Sequence, residues 1–329
     1  MFKITSAYLS FHRKYRTINI KMNESVPLIL RLIAASLPVA DHAGKIIRDV
    51  MKTGELNIVD KGIADYQTQA DRSAHQYIVS TLARRFPKIN IIGEEDDSLS
   101  NEPVSDSVDD DKTNEEILKL SCPEYLKNVK DSQITVWVDP LDGTSEYTQG
   151  LLEHVTVLIG IAVDDKAVAG IINQPYYGHK EKADCGRSIW GIIGLGAFGF
   201  QPKEPPKDRK IVTTTRSHSN KVVLSTIDSI KPDEVIKVGG SGHKVLLLIE
   251  GIAHAYVFAS AGTKRWDTCA PEAILHAVGG KMTDMNGNFY KYNKDTEHNN
   301  KGGILATYKE AEHASYLNLI PDEVKNAFK

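Results

Sequence analysis

The chain has 329 residues, of which 41% are hydrophobic and 25% are charged. These values are typical of a globular protein with a sizeable core, built as one large domain or two closely joined ones. The formal net charge of −3 argues against a general nucleic-acid binder, because such proteins are usually basic. Cys122, Cys185 and Cys269 lie far apart without a C-x-x-C pair, which predicts free thiols in a reducing compartment. No apolar run approaches the roughly 18 residues that cross a membrane.

Residues 1–22 form a basic N-terminal extension. They contain several lysines and arginines and no acidic residue, a composition typical of a mitochondrial transit peptide. The alternatives are a disordered extension and a chain that begins at Met22. We therefore expect a cytoplasmic protein, or a mitochondrial one if this segment is a targeting signal.

Two helices and a strand are predicted before the first acidic cluster. Residues 27–51 carry apolar side chains at helical spacing, but Pro38 lies among them, so the helix either kinks or gives way to a second helix near Pro38. The next helix spans about 68–86 and is followed by the strand INIIG. The acid-rich segment 94–116 is predicted to be a solvated loop that leads into a short helix.

Strands dominate the middle of the chain and then alternate with helices. ITVWV is predicted to be a strand, the apolar runs on both sides of Asp164 and Asp165 form a hairpin, and residues 189–200 form paired strands. After a Pro/Lys-rich linker at residues 201–210, the alternation indicates α/β layers with a partly parallel sheet. The later helices are expected at about 220–230, 241–250 and 269–278, and the later strands at KIVTTT, IKVGG, AHAYVFA and KMTDM.

Acidic residues follow three predicted strands. Glu94 follows INIIG, Asp139 and Asp142 follow ITVWV, and Asp267 lies in RWDTCAPEAI after AHAYVFA. Sites in open α/β sheets gather outside the carboxyl ends of strands, so these carboxylates are expected to converge. Two like charges about 4 Å apart repel by roughly 4 kcal/mol at an effective dielectric constant of about 20. The cluster therefore needs bound protons or a cation.

The ligand chemistry of this cluster favours a hard cation. Its donors are carboxylate oxygens and a backbone carbonyl, without histidine or cysteine, which makes Mg²⁺ the expected metal and zinc a poor fit. The turn from Asp139 to Asp142 would direct both carboxylates and the carbonyl of Leu141 to one place, because Pro140 lacks an N–H and fixes φ. The alternatives are a plain turn and a structural Mg²⁺ or Ca²⁺ site.

A phosphate site is expected beside the metal site. Gly143 and Thr144 begin a predicted short helix, whose first backbone N–H groups could bind phosphate oxygens. Metal ions beside an anion site indicate phosphoryl transfer or phosphate hydrolysis.

These residues resemble the signatures of a known family. GEED, WVDPLDGT and WDTCAPEAI are similar, in this order and rough spacing, to the three motifs of the lithium-sensitive, magnesium-dependent phosphatases related to inositol monophosphatase. Within that superfamily the chain resembles the 3'(2'),5'-bisphosphate nucleotidases, from about residue 24 to the C-terminus. Further stretches that carry the resemblance are NQPYY, WGIIGLGAFGF, TTTRSHSN, VGGSGHK and LIEGIAHAYVFAS.

The resemblance implies a fold, a reaction and a set of site residues. The fold is α/β (α+β layered), an αβαβα sandwich of the sugar-phosphatase type. The reaction is removal of the 3'-phosphate from adenosine 3',5'-bisphosphate and from its sulfated precursor in sulfur metabolism, with inositol 1,4-bisphosphate 1-phosphatase activity in addition. It would use two or three Mg²⁺ ions and be inhibited by lithium. The metal ligands would be Glu94, Asp139, the Leu141 carbonyl, Asp142 and Asp267; Asp71 and Thr144 would activate water; and Gly143, Thr144, Thr215, His218, Gly240 and Lys244 would bind the substrate.

Residue chemistry refines this assignment. A threonine alone is a poor base, so Thr144 would relay a proton toward a carboxylate such as Asp71, with Asp65 as the competing acid. Without the family resemblance, His218 would be interpreted as a histidine in a loop. Lys244 follows glycines, which allow a ligand to approach the backbone closely, and its ammonium could bind the second phosphate of a bisphosphate.

Three alternative functions remain: an inositol monophosphatase, a fructose-1,6-bisphosphatase-type enzyme, and a non-catalytic nucleotide- or metal-binding protein. The expected partner is a small nucleotide bisphosphate, with no nucleic acid polymer and no membrane, and the protein is expected to be a monomer.

We expect a metal-site half at residues 23–185 and a nucleotide-binding half at residues 186–329. The basic extension, Pro38 and His243 depart from the family pattern.

Overall fold

The computed structural model describes residues 25–62, 65–95, 112–181, 185–217 and 219–328. The basic extension, most of the acid-rich loop and His218 therefore lie outside the described residues. Within the described ranges, no helix is both long and apolar enough to cross a membrane.

The first helix, α1 (Leu28–Thr53), continues through its internal proline. Pro38 cannot donate a hydrogen bond to the carbonyl of Ala34, one turn earlier. The backbone N–H of Asn114 donates to that carbonyl instead, at 2.9 Å. The sequence was compatible with a kinked helix or with two helices, and the structure has a single helix. It can form because a donor from another segment replaces the N–H that Pro38 lacks.

A six-stranded sheet packs beneath α1 and α2 (Gln69–Arg85), and apolar side chains of the helices and the sheet form one buried cluster. The strand order follows the chain, with the first pair parallel and the others antiparallel. Its strands are β3 (Asn90–Gly93), β4 (Ile134–Asp142), β5 (Thr156–Val163), β6 (Lys166–Gln174), β7 (Arg187–Ile192) and β8 (Gly196–Phe198). Smaller elements are the antiparallel pair β1 (Val59–Gly62) and β2 (Asp65–Gln67), and the short helices α3 (Glu115–Leu118) and α4 (Thr144–Thr148).

A second sheet of five strands follows, in the order β10-β9-β11-β15-β13, with the first three parallel. Its strands are β9 (Ile211–Thr215), β10 (Glu234–Val238), β11 (Ala255–Phe258), β13 (Lys281–Thr283) and β15 (Ile304–Thr307). The remaining elements are α5 (Lys221–Ile230), α6 (Ser241–Ile249), α7 (Arg265–Ala277), α8 (Glu310–Leu319), α9 (Asp322–Ala327), β12 (Thr263–Lys264) and β14 (Asn299–Asn300).

Helices α6 and α7 fill the space between the two sheets, and α5 and α8 pack against the second sheet in a separate buried cluster. Glycines of β5 and β6 let α7 approach closely: a Cβ on Gly160 would lie 2.6 Å from the backbone nitrogen of Ala270, and a Cβ on Gly170 would lie 2.7 Å from its Cα. The layers therefore run helix, sheet, helix, sheet, helix. This confirms the predicted αβαβα sandwich.

Three local features differ from the sequence predictions or qualify them. The turn expected at residues 139–142 is a β-bulge inside β4, and α7 begins at Arg265 rather than near Cys269, so Asp267 lies in the first turn of a helix. Strands β7 and β8 come from residues after 185 but belong to the first sheet. The division of the chain at residue 185 stays a prediction.

Candidate active site

A bulge at the end of β4 lies between two carboxylate residues, Asp139 and Asp142. Asp139 pairs with Leu158 of β5 and Asp142 pairs with Thr156, so β4 has one extra residue between them. Pro140 lies within this extra segment and cannot donate to the ladder, which makes a bulge the natural place for it. The N–H of Leu141 donates to Oδ1 of Asp139 at 3.0 Å and fixes the loop.

The second of these carboxylates connects the first sheet to α6. Oδ1 of Asp142 accepts from the N–H of Ser241 at 2.9 Å, and Oδ2 accepts from the N–H of Gly242 at 2.8 Å and from the hydroxyl of Thr156 at 2.7 Å. The donors Ser241 and Gly242 supply the first N–H groups of α6, which the positive end of the helix dipole makes favourable for a carboxylate. Asp142 therefore joins β4 to the glycine loop that precedes α6.

The four acidic side chains that the sequence singled out come together. Burial, followed by the charges of Asp267, Glu95 and Asp71, raises the pKa of Glu94 to about 8. Burial, followed by the charges of Glu94, Asp142 and Asp267, holds the pKa of Asp139 well above its usual range. Burial and the charge of Asp142 raise the pKa of Asp267 to about 6, although the N–H of Lys264 donates to it at 2.7 Å. The carboxylates therefore repel one another, and the cluster holds protons at pH values where separate carboxylates would be ionised.

A hard divalent cation suits this donor set, which contains carboxylate oxygens and the Leu141 carbonyl and no histidine or cysteine. Among the residues that the structure describes, no three acidic, histidine or cysteine side chains stand as they would around a bound metal. The oxygens of Asp142 and Asp267 accept backbone N–H groups, and Asp139 and Asp267 share a hydrogen bond.

A buried threonine–aspartate pair lies beside this cluster. The hydroxyl of Thr144, the first residue of α4, lies 3.0 Å from Oδ1 of Asp71 and 3.1 Å from the carbonyl of Leu141. Asp71 is only 1% exposed and also accepts from the N–H and hydroxyl of Thr68 at the start of α2. Burial raises the pKa of Asp71 to about 6, against the opposing effect of the Thr68 hydrogen bonds. The pair is placed to pass a proton from the hydroxyl to the carboxylate.

A cavity of about 330 Å³ opens above these groups. Most of the predicted site residues line it, while Asp71, Asp139 and Leu141 lie outside its lining. Gly143 and Gly240 have φ values of 92° and 71°, which only glycine adopts without strain. The predicted residues that line the cavity are Glu94, Asp142, Gly143, Thr144, Thr215, Gly240, Lys244 and Asp267. His218 lies outside the described residues, as does the side chain of Asp65.

The ammonium of Lys244 reaches the cavity from α6. Its Nζ donates to the carbonyl of Gly240 at 2.9 Å and lies 5.3 Å from the ring centre of Tyr256. Burial lowers its pKa, and the negative charges of Asp142, Glu146 and Asp267 oppose that shift. This cation lies near the acidic cluster on the side of the second sheet.

Sequence reasoning missed several residues of the cavity wall. Glu146 follows DGTS directly, and its buried carboxylate forms an ion pair with Arg216 of TTTRSHSN. Lys264 lies beside Asp267, and its charge lowers the pKa of Glu94 and of Asp267. The available signal was their position: Arg216 lies inside a recognised motif, and Glu146 and Lys264 lie two residues away from one. A charged residue in or next to a site motif is a candidate for that site.

Comparison with known proteins places the chain in a family. Residues 30–324 match the model of the inositol monophosphatase family. The human protein 3'(2'),5'-bisphosphate nucleotidase 1 is 53% identical over 93% of this chain and 99% of its own length. The Dictyostelium discoideum protein of the same name is 40% identical over 89% of this chain and 96% of its own.

Solved structures show the same fold. An inositol monophosphatase from Zymomonas mobilis matches with a TM-score of 0.61 at 23% identity, over 88% of this chain and 96% of that one. The similarity in sequence and in fold confirms the resemblance that the motifs GEED, DPLDGT and WDTCAPE indicated. The chain belongs to the inositol monophosphatase family.

Proposed function

We propose that this protein is a magnesium-dependent phosphomonoesterase that removes the 3'-phosphate from adenosine 3',5'-bisphosphate. The observation that carries this proposal is that mutually repelling carboxylates, a threonine–aspartate pair and the Lys244 ammonium meet in or beside one cavity. The 53% identity to human 3'(2'),5'-bisphosphate nucleotidase 1 supports the same substrate class. The sulfated precursor of this nucleotide and inositol 1,4-bisphosphate are further candidate substrates.

The carboxylates of Glu94, Asp139, Asp142 and Asp267, with the Leu141 carbonyl, would hold two or three Mg²⁺ ions. When bound, these ions polarise the phosphate and lower the pKa of the attacking water. Their positive charge would also offset the burial and the charge repulsion that together raise the pKa of Glu94 to about 8. The family membership of the chain supports this metal.

Thr144 and Asp71 would take the proton of the attacking water. The hydroxyl of Thr144 would accept it and pass its own proton to Oδ1 of Asp71, 3.0 Å away. A base works best when its pKa lies near the working pH, and the pKa of Asp71 is raised to about 6. Gly143 and Thr144 would bind the scissile phosphate through their backbone N–H groups. Thr215, His218, Gly240 and Lys244 would bind the rest of the nucleotide.

A substrate panel tests this function. Phosphate release is compared, as kcat/KM, for adenosine 3',5'-bisphosphate, its sulfated analogue, inositol 1,4-bisphosphate, inositol 1-phosphate and fructose 1,6-bisphosphate, with Mg²⁺ and with a chelator. We expect the adenosine bisphosphate to be preferred and the chelator to abolish turnover. Preference for an inositol phosphate or for fructose 1,6-bisphosphate would replace the proposed substrate. Nucleotide binding without turnover would indicate a non-catalytic binding protein.

Lithium sensitivity is a second part of the proposal. If Li⁺ replaces one weakly held Mg²⁺, the lithium concentration needed for half inhibition should depend on the Mg²⁺ concentration. An inhibition curve that is the same at all Mg²⁺ concentrations would contradict this mechanism.

We further propose a monomer that acts on a small nucleotide in the cytoplasm, or in mitochondria if residues 1–21 are a transit peptide. Sedimentation analysis tests the oligomeric state. Imaging of the full chain beside a chain that begins at Met22 tests the role of the basic extension.

A further inference from the structure

One ion pair joins the two sheets at the cavity. Glu146 lies in the first turn of α4, two residues after Thr144, and its side chain is only 3% exposed. Its Oε1 accepts from Nη2 of Arg216 at 3.2 Å. Arg216 follows Thr215, the last residue of β9 in the second sheet, and its side chain is 34% exposed. The pair therefore connects the helix that carries the proposed proton relay to the strand end that carries a proposed nucleotide contact.

The glycine loop before α6 packs against the same carboxylate. A Cβ on Gly239 would lie 1.9 Å from the carboxyl carbon of Glu146, so the loop has no space for a side chain there. The next residue, Gly240, is followed by the first turn of α6 and Lys244. The position of Glu146 thus sets how close the loop lies to α4.

Arg216 makes two further contacts that hold it in place. Its Nη2 also donates to Oε1 of Gln149 at 2.8 Å, and its backbone N–H donates to the carbonyl of Val238 in β10 at 3.1 Å. Arg216 therefore holds three segments together: the end of α4, the end of β9 and the end of β10. Because Glu146 is buried, removal of Arg216 would leave a buried carboxylate without its main partner, which is costly.

We propose that Glu146 and Arg216 are positioning residues that hold the nucleotide side of the cavity at a fixed distance from its phosphate side. All five proposed contacts line the cavity: Thr215, Gly240 and Lys244 come from the end of β9 and the start of α6, and Gly143 and Thr144 come from the start of α4. Because Arg216 directly follows Thr215 and Gly239 packs on Glu146, the pair also holds the nucleotide contacts themselves in place. A nucleotide therefore depends on the pair, whereas a ligand that occupies only the phosphate side does not. This inference rests on the proposed function, because it takes a nucleotide bisphosphate as the substrate.

Two small ligands test the nucleotide side and the phosphate side of the cavity separately. With Mg²⁺ present, adenosine 5'-monophosphate probes the nucleotide side and inorganic phosphate probes the phosphate side, both by calorimetry. For Arg216→Gln we expect the affinity for the nucleotide to fall about tenfold, with phosphate affinity unchanged within about twofold. In turnover of adenosine 3',5'-bisphosphate, KM should rise about tenfold while kcat falls less than about threefold.

Further variants show that the pair acts as a unit. Glu146→Gln should weaken nucleotide binding as Arg216→Gln does, and the double variant should be no worse than either, because coupled residues are not additive. Arg216→Lys should restore part of the affinity, since it keeps the charge. Arg209→Gln is the matched control, because Arg209 forms a half-exposed ion pair with Glu234, 3.0 Å away, at the far end of the neighbouring strand.

Several results would overturn the inference. An equal loss of nucleotide and phosphate affinity would show a general structural defect. Normal nucleotide binding by Glu146→Gln, with a loss in Arg216→Gln, would show that Arg216 contacts the nucleotide by itself. No loss in either variant would show that the pair has no such role. Failure of the unchanged protein to bind the nucleotide would instead overturn the proposed function.

Discussion

The hydroxyl oxygen of Thr144 lies 3.0 Å from Oδ1 of Asp71, although 73 residues separate them in the chain. Asp71 lies in the first turn of α2, and Thr144 is the first residue of α4, directly after β4. The first layer of helices and the sheet beneath it thus bring a hydroxyl to a buried carboxylate at the edge of the cavity. Proton relay through this contact makes the first prediction.

Thr144→Val removes the hydroxyl while it keeps the shape of the side chain. General base catalysis contributes about 10²- to 10⁴-fold, so we expect kcat to fall by at least about 100-fold with KM changed less than about threefold. Thr144→Ser should retain activity within about tenfold, because it keeps the hydroxyl. Steady-state kinetics of both variants and of Asp71→Asn measure this. Full activity of Thr144→Val would remove the relay from the mechanism.

Asp142→Asn should cost stability as well as activity. Both oxygens of Asp142 accept backbone N–H groups, from Ser241 and Gly242, so the amide nitrogen of an asparagine would face a donor in either orientation. We expect the free energy of unfolding to fall by about 1–3 kcal/mol, measured by urea denaturation. The matched control is Asp49→Asn on the exposed face of α1, which should change it by less than about 0.5 kcal/mol. Equal stability of the two variants would contradict the proposed role of Asp142 as an anchor.

Glu94→Gln is a cleaner probe of the metal site. The pKa of Glu94 is raised to about 8, so at pH 7 without metal the side chain is mostly protonated, and glutamine resembles that form. Stability without Mg²⁺ should therefore hardly change. A cation at 100 times its dissociation constant stabilises a protein by about 2.7 kcal/mol. We expect Mg²⁺ to raise the thermal midpoint of the unchanged protein and to raise that of Glu94→Gln much less. An equal rise in both would exclude Glu94 as a ligand.

Glu272 should make stability depend on pH. Burial raises its pKa to about 8, although the Tyr292 hydroxyl donates to it at 2.6 Å and the charge of Arg265 opposes the shift. Between pH 4.5 and 8 the folded protein holds one proton that the unfolded chain has lost. The contribution of Glu272 is therefore fully present below pH 4.5 and is lost as the pH rises through 8, by up to about 1.4 kcal/mol per pH unit.

Glu272→Gln resembles the protonated side chain and should remove this part of the slope. Urea midpoints at constant Mg²⁺ concentration, measured from pH 5 to pH 8, give the comparison. The unchanged protein should lose stability faster than the variant across this range. Parallel curves would show that Glu272 is not protonated in the folded protein.

The sequence by itself determined the elements and the chemistry of the site. Hydrophobic periodicity predicted α2, β3, the β5–β6 hairpin and the alternating elements after residue 210. It could do so because buried residues recur along the chain at the period of the helix or strand that carries them. The acidic motifs predicted a hard-cation site and a phosphatase, because ligand type selects the metal.

Only the tertiary structure decided how these parts meet. Pro38 stays inside one helix because Asn114, far away in the chain, donates to the carbonyl of Ala34. The motif around Pro140 is a bulge rather than a turn because β5 continues to pair beyond it. Glu146 and Arg216 come together because α4, which follows β4 of the first sheet, and β9 of the second sheet meet at the cavity. Each of these contacts depends on the packing of distant segments, which no local pattern encodes.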